Sequence, residues 1–118
     1  MAAPNIVNVT TIYGRTALAV VTTSLANVVT NAADSGTVVK LNDVMVSNFS
    51  SSAITTNVVV GRGASLFYLA GTMTVPANSA LMVLAKDTVI YMEEGDFLQC
   101  NASSATSSHI TASYEIIS

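Results

Sequence analysis

Apolar residues recur at every second position along most of this chain, and this period constrains the fold more than any other feature. It is clearest in "HITASYEII", where Ile110, Ala112, Tyr114 and Ile116 fall on one face. Successive side chains of a β-strand point to opposite faces, so the pattern predicts a half-buried strand. Valine, isoleucine and threonine dominate the alternating stretches, and these residues favour strands over helices.

The same alternation predicts short strands along the rest of the chain. They are 5–13, 17–22, 37–41, 43–49, 52–60, 80–85, 88–93, 96–102 and 109–117. The predicted turns are 33–36, 48–52, 61–63, 75–79, 86–87, 93–96 and 103–108. Residues 17–22 are apolar on both faces, which suggests a buried strand. Residues 24–33 tolerate a helix best, although asparagine and β-branched residues weaken that interpretation.

Short strands at intervals of roughly ten residues are typical of an antiparallel β-sandwich. With no composition shift and no repeat, residues 1–118 are predicted to form a single domain. We expect an all-β fold of about eight short strands, either jelly-roll-like or immunoglobulin-like.

The alternation slips by one residue at Asn42–Asp43. Val39 and Leu41 share a face, but Val44 and Val46 follow out of phase with them. An extra residue on one strand of a pair would restore a common face, because a β-bulge sets two residues against one. The slip therefore predicts a β-bulge at this point.

Charged residues are scarce in this chain. They number 11 of 118, or 9%, against about 25% in typical domains. A surface with so few charges resists association poorly. We therefore expect much of the surface to be covered by other subunits, and the chain to work as a homo-oligomer.

Several function classes are disfavoured by the sequence. The formal net charge is −3 and the basic residues are scattered, which argues against nucleic-acid binding. No run reaches the 18 or so apolar residues of a membrane helix. The start, "MAAPNIVNV", lacks a secretory signal, so synthesis in the cytoplasm is expected. A single cysteine excludes an internal disulfide.

Three of the seven acids, Glu93, Glu94 and Asp96, cluster in "YMEEGDFLQC". The favoured interpretation is a tight hairpin turn, in which Gly95 supplies a positive φ and Asp96 accepts backbone N–H groups. A weak calcium site shared between subunits is the main alternative, although the EF-hand spacing is absent. A glycosidase-type carboxylate pair would also need a cleft, which nothing else in the sequence predicts.

Histidine and cysteine occur once each. By strand alternation Cys100 points inward beside Leu98 and Ala102, whereas His109 faces solvent or a partner. A buried cysteine behaves as a small apolar side chain, and a structural zinc site needs about four ligands. We therefore expect no metal site here and no cofactor.

The remaining patterns are interpreted as structural. The segment "GRGAS" at 61–65 lacks the spacing and lysine of a phosphate loop, and is predicted to be a loop tip. Glycosylation sequons are expected by chance in a chain this rich in serine, threonine and asparagine; they begin at Asn8, Asn48 and Asn101. The tyrosines could line a sugar site, but without tryptophan we favour packing; they are Tyr13, Tyr68, Tyr91 and Tyr114. No catalytic group emerges, and the chain is not expected to be an enzyme.

Three stretches resemble small virion proteins of tailed bacteriophages, especially those of marine and cyanobacterial hosts. They are "MAAPNIVNVTTIYG", "VMVSN" and "VPANSALMVLAKDTVIYMEEGDFLQCNAS". The resemblance covers most of the chain and is strongest from the lysine-aspartate turn through "IYMEEGD" to the following strand. It rests on a pattern of residues rather than on a chemical motif, and it carries over no catalytic residues.

The resemblance implies a small β-sandwich that decorates or cements a phage capsid through contacts with the major capsid protein or other virion proteins. It also implies a trimer, since small decoration proteins often occupy threefold positions. Two other functions stay open at this point: a glycan-binding or receptor-contacting module of a tail or head fibre, and a neck or tail adaptor. Each of these would place the chain in the virion.

Overall fold

The structure, a computed structural model, describes residues 7–118 apart from the side chain of Lys86. The described residues form nine strands and one short 3-10 helix at Lys86–Thr88. The strands are β1 (Ile12–Val20), β2 (Ala26–Thr30), β3 (Val38–Asn48), β4 (Ile54–Arg62), β5 (Ser65–Val75), β6 (Ser79–Leu84), β7 (Ile90–Met92), β8 (Phe97–Ala102) and β9 (Ser108–Ile117). The predicted all-β fold is confirmed.

Two antiparallel sheets pack face to face. Sheet A has the order β1-β9-β3-β6, with β7 also paired to β3, and sheet B has the order β2-β8-β4-β5. The strand pairs are nested along the chain: β1 pairs with β9, β2 with β8, β3 with β6, and the consecutive strands β4 and β5 with each other. This nested order, in which one long antiparallel hairpin folds over into two sheets, is the jelly-roll arrangement, and β7 is an additional strand. Of the two predicted sandwich types, the jelly roll rather than the immunoglobulin-like fold therefore has the observed strand order.

The core lies between the two sheets, and valine is its commonest residue. Its fully buried members are Val21, Leu41, Val44, Val46, Val58, Val75, Met92, Leu98, Ile110 and Ala112. In β9, Ile110 and Ala112 are buried in the core, and Tyr114 and Ile116 pack against it. The face predicted for this strand is therefore confirmed.

The predicted β-bulge is present in β3. The pairing with β9 shifts between Leu41 and Asp43, which leaves Asn42 as the extra residue. Leu41 and Val44 are both fully buried in the core as a result. A single unpaired residue thus keeps the apolar face of this strand continuous across the slip in the sequence.

The predictions for the first strands were wrong in part. The strand predicted at 5–13 begins outside the described residues, and residues 7–11 form no strand; β1 starts at Ile12. The stretch 17–22 is not a buried strand, since Leu18 is 75% exposed. The physical reason is that Leu18 lies on the outer face of sheet A, away from sheet B, whereas Ala17 and Ala19 on the inner face pack against the core.

Two further elements differ from the sequence pattern. The helix-tolerant segment 24–33 contains β2, and the strand β5 was not predicted at all. The pairing of β4 with β5 shifts register twice, and Thr72 adopts a φ of 50° in the second strand. These irregularities break the two-residue period that would have revealed β5.

The predicted loop tip at 61–65 is shorter than expected, because β4 continues through Arg62 and β5 begins at Ser65. Gly63 takes the positive φ of the turn, at +62°. Gly61 is buried beneath Phe97, and a Cβ at this position would overlap the aromatic ring. The two glycines therefore serve different purposes: Gly63 permits the turn, and Gly61 allows the ring of Phe97 to pack close to the backbone.

We predict that deletion of Asn42 lowers the free energy of unfolding by more than about 3 kcal/mol. Without the bulge, either Val39 and Leu41 or Val44 and Val46 must turn outward, and each buried aliphatic side chain contributes about 1.5–3 kcal/mol. Urea denaturation measures the change, with Asn42→Ser as the matched control that keeps the extra residue. A deletion variant as stable as this control would contradict the role given to the bulge.

Candidate functional site

The acidic segment 93–96 is a crossing between the two sheets. It joins β7, which pairs with β3 in sheet A, to β8, which pairs with β2 and β4 in sheet B. The prediction of a hairpin between paired strands was therefore wrong, because the strands on either side belong to different sheets. The predicted positive φ at Gly95 is confirmed, at +88°. We call residues 93–96 the acidic corner.

Arg62, at the end of β4, binds the acidic corner. Its Nε donates to Oδ1 of Asp96 at 2.9 Å, and its Nη2 donates to Oδ2 of Asp96 at 2.7 Å. The same Nη2 donates to Oε2 of Glu93 at 3.0 Å. A guanidinium that grips a carboxylate with two parallel bonds holds it in a fixed geometry.

Asp96 is buried, at 1% exposure, and its charge is compensated on two sides. Oδ2 also accepts the backbone N–H of Glu93 at 2.8 Å, which closes the turn. The hydrogen bond from Arg62 lowers the pKa of Asp96 below its ordinary value, against the opposing effect of burial. In return, the hydrogen bond and the charge of Asp96 raise the pKa of Arg62. The buried carboxylate therefore remains ionised at neutral pH.

Asn31, which the sequence did not single out, fastens the acidic corner to the turn after β2. Its Nδ2 donates to the carbonyl oxygens of Thr37 and Met92, and its Oδ1 accepts the hydroxyls of Ser35 and Thr37. Its backbone carbonyl also accepts the N–H of Gly95 at 2.7 Å. A buried asparagine with all these bonds is fully satisfied, and it fixes two crossings at one end of the sandwich.

Asn48 has the same role at the opposite end of the sandwich. This buried side chain donates to the carbonyls of Ser52, Val75 and Pro76, and accepts the N–H and hydroxyl of Ser50. It therefore joins the crossing after β3 to the crossing after β5. The asparagine of the sequon at Asn48 is therefore a buried side chain with a structural role.

The carboxylates of the acidic corner accept hydrogen bonds from groups of this chain. Asp96 and Glu93 accept bonds from Arg62, and Oε2 of Glu94 accepts the N–H of Gly36 at 2.8 Å. Calcium needs six to eight oxygen ligands directed at one point. Within residues 7–118, no group of three or more acidic, histidine or cysteine side chains is arranged to hold a metal ion.

A cleft of about 330 Å³ opens beside the acidic corner. Its walls are mostly apolar, and its one charged residue is Arg62, whose guanidinium already binds Asp96. The lining residues are Val60, Arg62, Phe67, Leu69 and Ile90. This lining offers apolar contacts rather than groups that could exchange protons with a substrate.

The single cysteine and histidine lie as predicted. Cys100 is buried in the core, and burial raises the pKa of its thiol to about 11. His109 is exposed, and the centroid of its ring lies 4.5 Å from the centroid of the Phe49 ring. The thiol is therefore unreactive at neutral pH, and the histidine contributes to an apolar surface.

The tyrosines do not converge. Tyr114 packs against the core, whereas Tyr13, Tyr68 and Tyr91 are exposed. Tyr13 shares a cross-strand row with core-facing Ile116, and Tyr91 lies beside Lys40 on the opposite face of sheet A. Tyr68 belongs to sheet B. A sugar platform needs neighbouring aromatic rings, and these three occupy separate faces.

The outer face of sheet A carries an apolar surface at the end away from the acidic corner. We call it the apolar outer face. Cross-strand pairing aligns Leu18, Thr111, Met45 and Met82 in one row, and Val20, His109, Ser47 and Ala80 in the next. Leu18, Val20 and Met82 are 75%, 51% and 53% exposed, and these two rows contain no acid, lysine or arginine. Such a surface usually marks a partner site.

In comparisons with known proteins, no family model matches the chain, and no curated protein matches it. Among the described residues, no helix is both long and apolar enough to cross a membrane.

We predict that Asp96→Asn lowers the free energy of unfolding at pH 7 by about 2 kcal/mol, because the bonds from Arg62 lose their charge assistance. The native pKa of Asp96 is lowered, so its contribution is present above the unfolded value of about 3.9 and is lost as pH falls through the native pKa. Urea denaturation should show the gap between wild type and variant closing below about pH 4.

The matched control for this measurement is Asp87→Asn, on the exposed 3-10 helix. We expect it to change stability by less than about 0.5 kcal/mol at either pH. A gap between wild type and Asp96→Asn that is unchanged at low pH would contradict the assigned ionisation.

Proposed function

We propose that this chain is a structural protein of a bacteriophage virion, a decoration or cement protein that stabilises the capsid through subunit contacts. The observation that carries the proposal is the apolar outer face, a surface without acids, lysine or arginine that is spread over four strands of sheet A. Its partners in this proposal are copies of itself and the major capsid protein. No chemical reaction is part of the function.

The charges of the chain support this function because several of them pair with one another within the chain. Arg62 binds Asp96 and Glu93, and Lys40 lies 3.7 Å from the carboxylate of Glu115. Serine, threonine, asparagine, alanine and valine make up more than half of the chain. Side chains of this kind lose little conformational entropy when an interface orders them.

The fold and the resemblance support the same function by analogy. Jelly rolls occur in viral capsid proteins and in lectins, so the fold is compatible with both a capsid role and a glycan-binding role. The separation of Tyr13, Tyr68 and Tyr91 on different faces favours the capsid role. The resemblance to small phage virion proteins is the reason for assigning the chain to a phage particle. It also implies three copies at a threefold position.

We predict that an antibody against this chain labels the capsid surface of particles purified from the culture in which the chain is made. Electron microscopy of labelled particles is the measurement, and particles treated with a non-specific antibody are the control. Label confined to a tail or fibre tip would instead favour the receptor-contacting alternative, and label at the neck would favour the adaptor. Particles that contain none of this chain would contradict a virion function altogether.

A further inference from the structure

Four sheet edges are available for pairing with another chain, and β1 differs from the other three. The pairing of β2 with β8 shifts register within five residues, and that of β5 with β4 shifts twice. The remaining edge of sheet A is divided between β6 and the three-residue β7. Bulges and short strands are the devices that prevent edge-to-edge pairing. Each of these three edges has at least a register shift or a short strand.

The edge of β1 has none of these protections. Its nine residues pair with β9 without a register shift and contain no proline. Within residues 7–118, no strand pairs with its other side. Arg15 is the one charged residue of this strand. A long, regular edge with unpaired backbone groups is a ready template for another strand.

The hydrogen-bond pattern identifies which backbone groups of β1 point to this free edge. Thr11 and Ser118 exchange both of their N–H···O bonds, at 2.9 and 3.0 Å, and Val21 donates to Ser108 at 2.9 Å. The register between these points is continuous. Odd-numbered residues therefore bond to β9, and the N–H and C=O groups of even-numbered residues point away from it. These residues are Ile12, Gly14, Thr16, Leu18 and Val20.

We propose that two copies of this chain pair through their β1 strands, antiparallel and about a twofold axis at Thr16. A strand of nine residues that overlaps fully with its symmetry mate has its axis at the central residue. In this register each even-numbered residue of one copy lies opposite an even-numbered residue of the other. The outward-pointing N–H and C=O groups of all five residues can therefore form hydrogen bonds between the copies. An axis at Arg15 would instead place two guanidinium groups directly opposite each other.

The side chains are complementary in the same register. Leu18 of each copy lies opposite Gly14 of the other, on the outer face of the joined sheet. No neighbouring heavy atom lies within 4 Å of the position that a Cβ would occupy at Gly14. The most exposed large side chain of β1 therefore faces a position that has open space beside it. The two apolar outer faces also become neighbours across the axis.

The proposal deepens the function given above, since it rests on self-association and names the surface and the symmetry. It gives a dimer, whereas the resemblance implies a trimer. Sedimentation velocity of the purified chain at micromolar concentration separates the two by mass. A trimer or a stable monomer would overturn pairing through β1.

The position of the axis is tested with single cysteine variants and a short thiol-to-thiol crosslinker. Thr16→Cys places two thiols side by side across the axis. Ile12→Cys, on the same exposed edge, places them eight residues apart, roughly 27 Å. Cys100 does not interfere because it is buried. We expect covalent dimers from Thr16→Cys and none from Ile12→Cys.

A second pair of variants tests the backbone bonds. Thr16→Pro removes an N–H that points to the free edge, so the pairing with β9 is retained while pairing between copies is blocked. We expect it to weaken dimerisation at least about tenfold relative to Thr16→Ala, which keeps the N–H.

Equal crosslinking of both cysteine variants, or of neither, would overturn the proposed axis even if the chain sedimented as a dimer. Equal dimerisation of Thr16→Pro and Thr16→Ala would overturn strand pairing as the mode of association. Neither result would affect the proposed virion function, which depends on the location of the chain in the particle.

Discussion

The ion pair between Arg62 and buried Asp96 fixes the point at which the chain crosses from sheet A to sheet B. Two face-to-face sheets share no backbone ladder, so their relative position depends on core packing and on the segments that cross between them. The carboxylate of Asp96 holds Arg62 and the N–H of Glu93 together, and Asn31 ties this crossing to the one before β3. Asn48 does the same at the other end. A few polar side chains thus set the geometry around an otherwise apolar core.

This arrangement has a consequence for the surface. A chain with 11 charged residues pairs several of them with one another, and its surface also carries large apolar side chains such as Leu18 and Phe67. The apolar outer face and the unprotected edge of β1 lie side by side on sheet A. In a protein that acts alone, both features would favour aggregation. In a subunit of an assembly, they are the surfaces through which it associates, and this is the view of the chain that we favour.

The sequence predicted those features that depend on local periodicity. The face of β9, the bulge at Asn42 and the inward position of Cys100 all follow from counting residues in twos. Features that depend on distant partners could not be predicted in this way. Leu18 is exposed because it lies on the outer face of sheet A, and a stretch that is apolar on both faces does not show which face is inward. Arg62 lies 34 residues before Asp96, so the acidic corner was interpreted without its cation. The only sequence clue was a cluster of acids in a chain with four basic residues.

Residue-resolved amide hydrogen exchange tests the association of β1 most directly, because it separates the two sides of one strand. At high protein concentration we expect the amides of Gly14, Thr16 and Leu18 to be protected, and on dilution to exchange rapidly. The amides of Arg15 and Ala17, which bond to β9 within the same chain, should stay protected at both concentrations. Rapid exchange of Thr16 at every concentration at which the chain is associated would contradict pairing through β1.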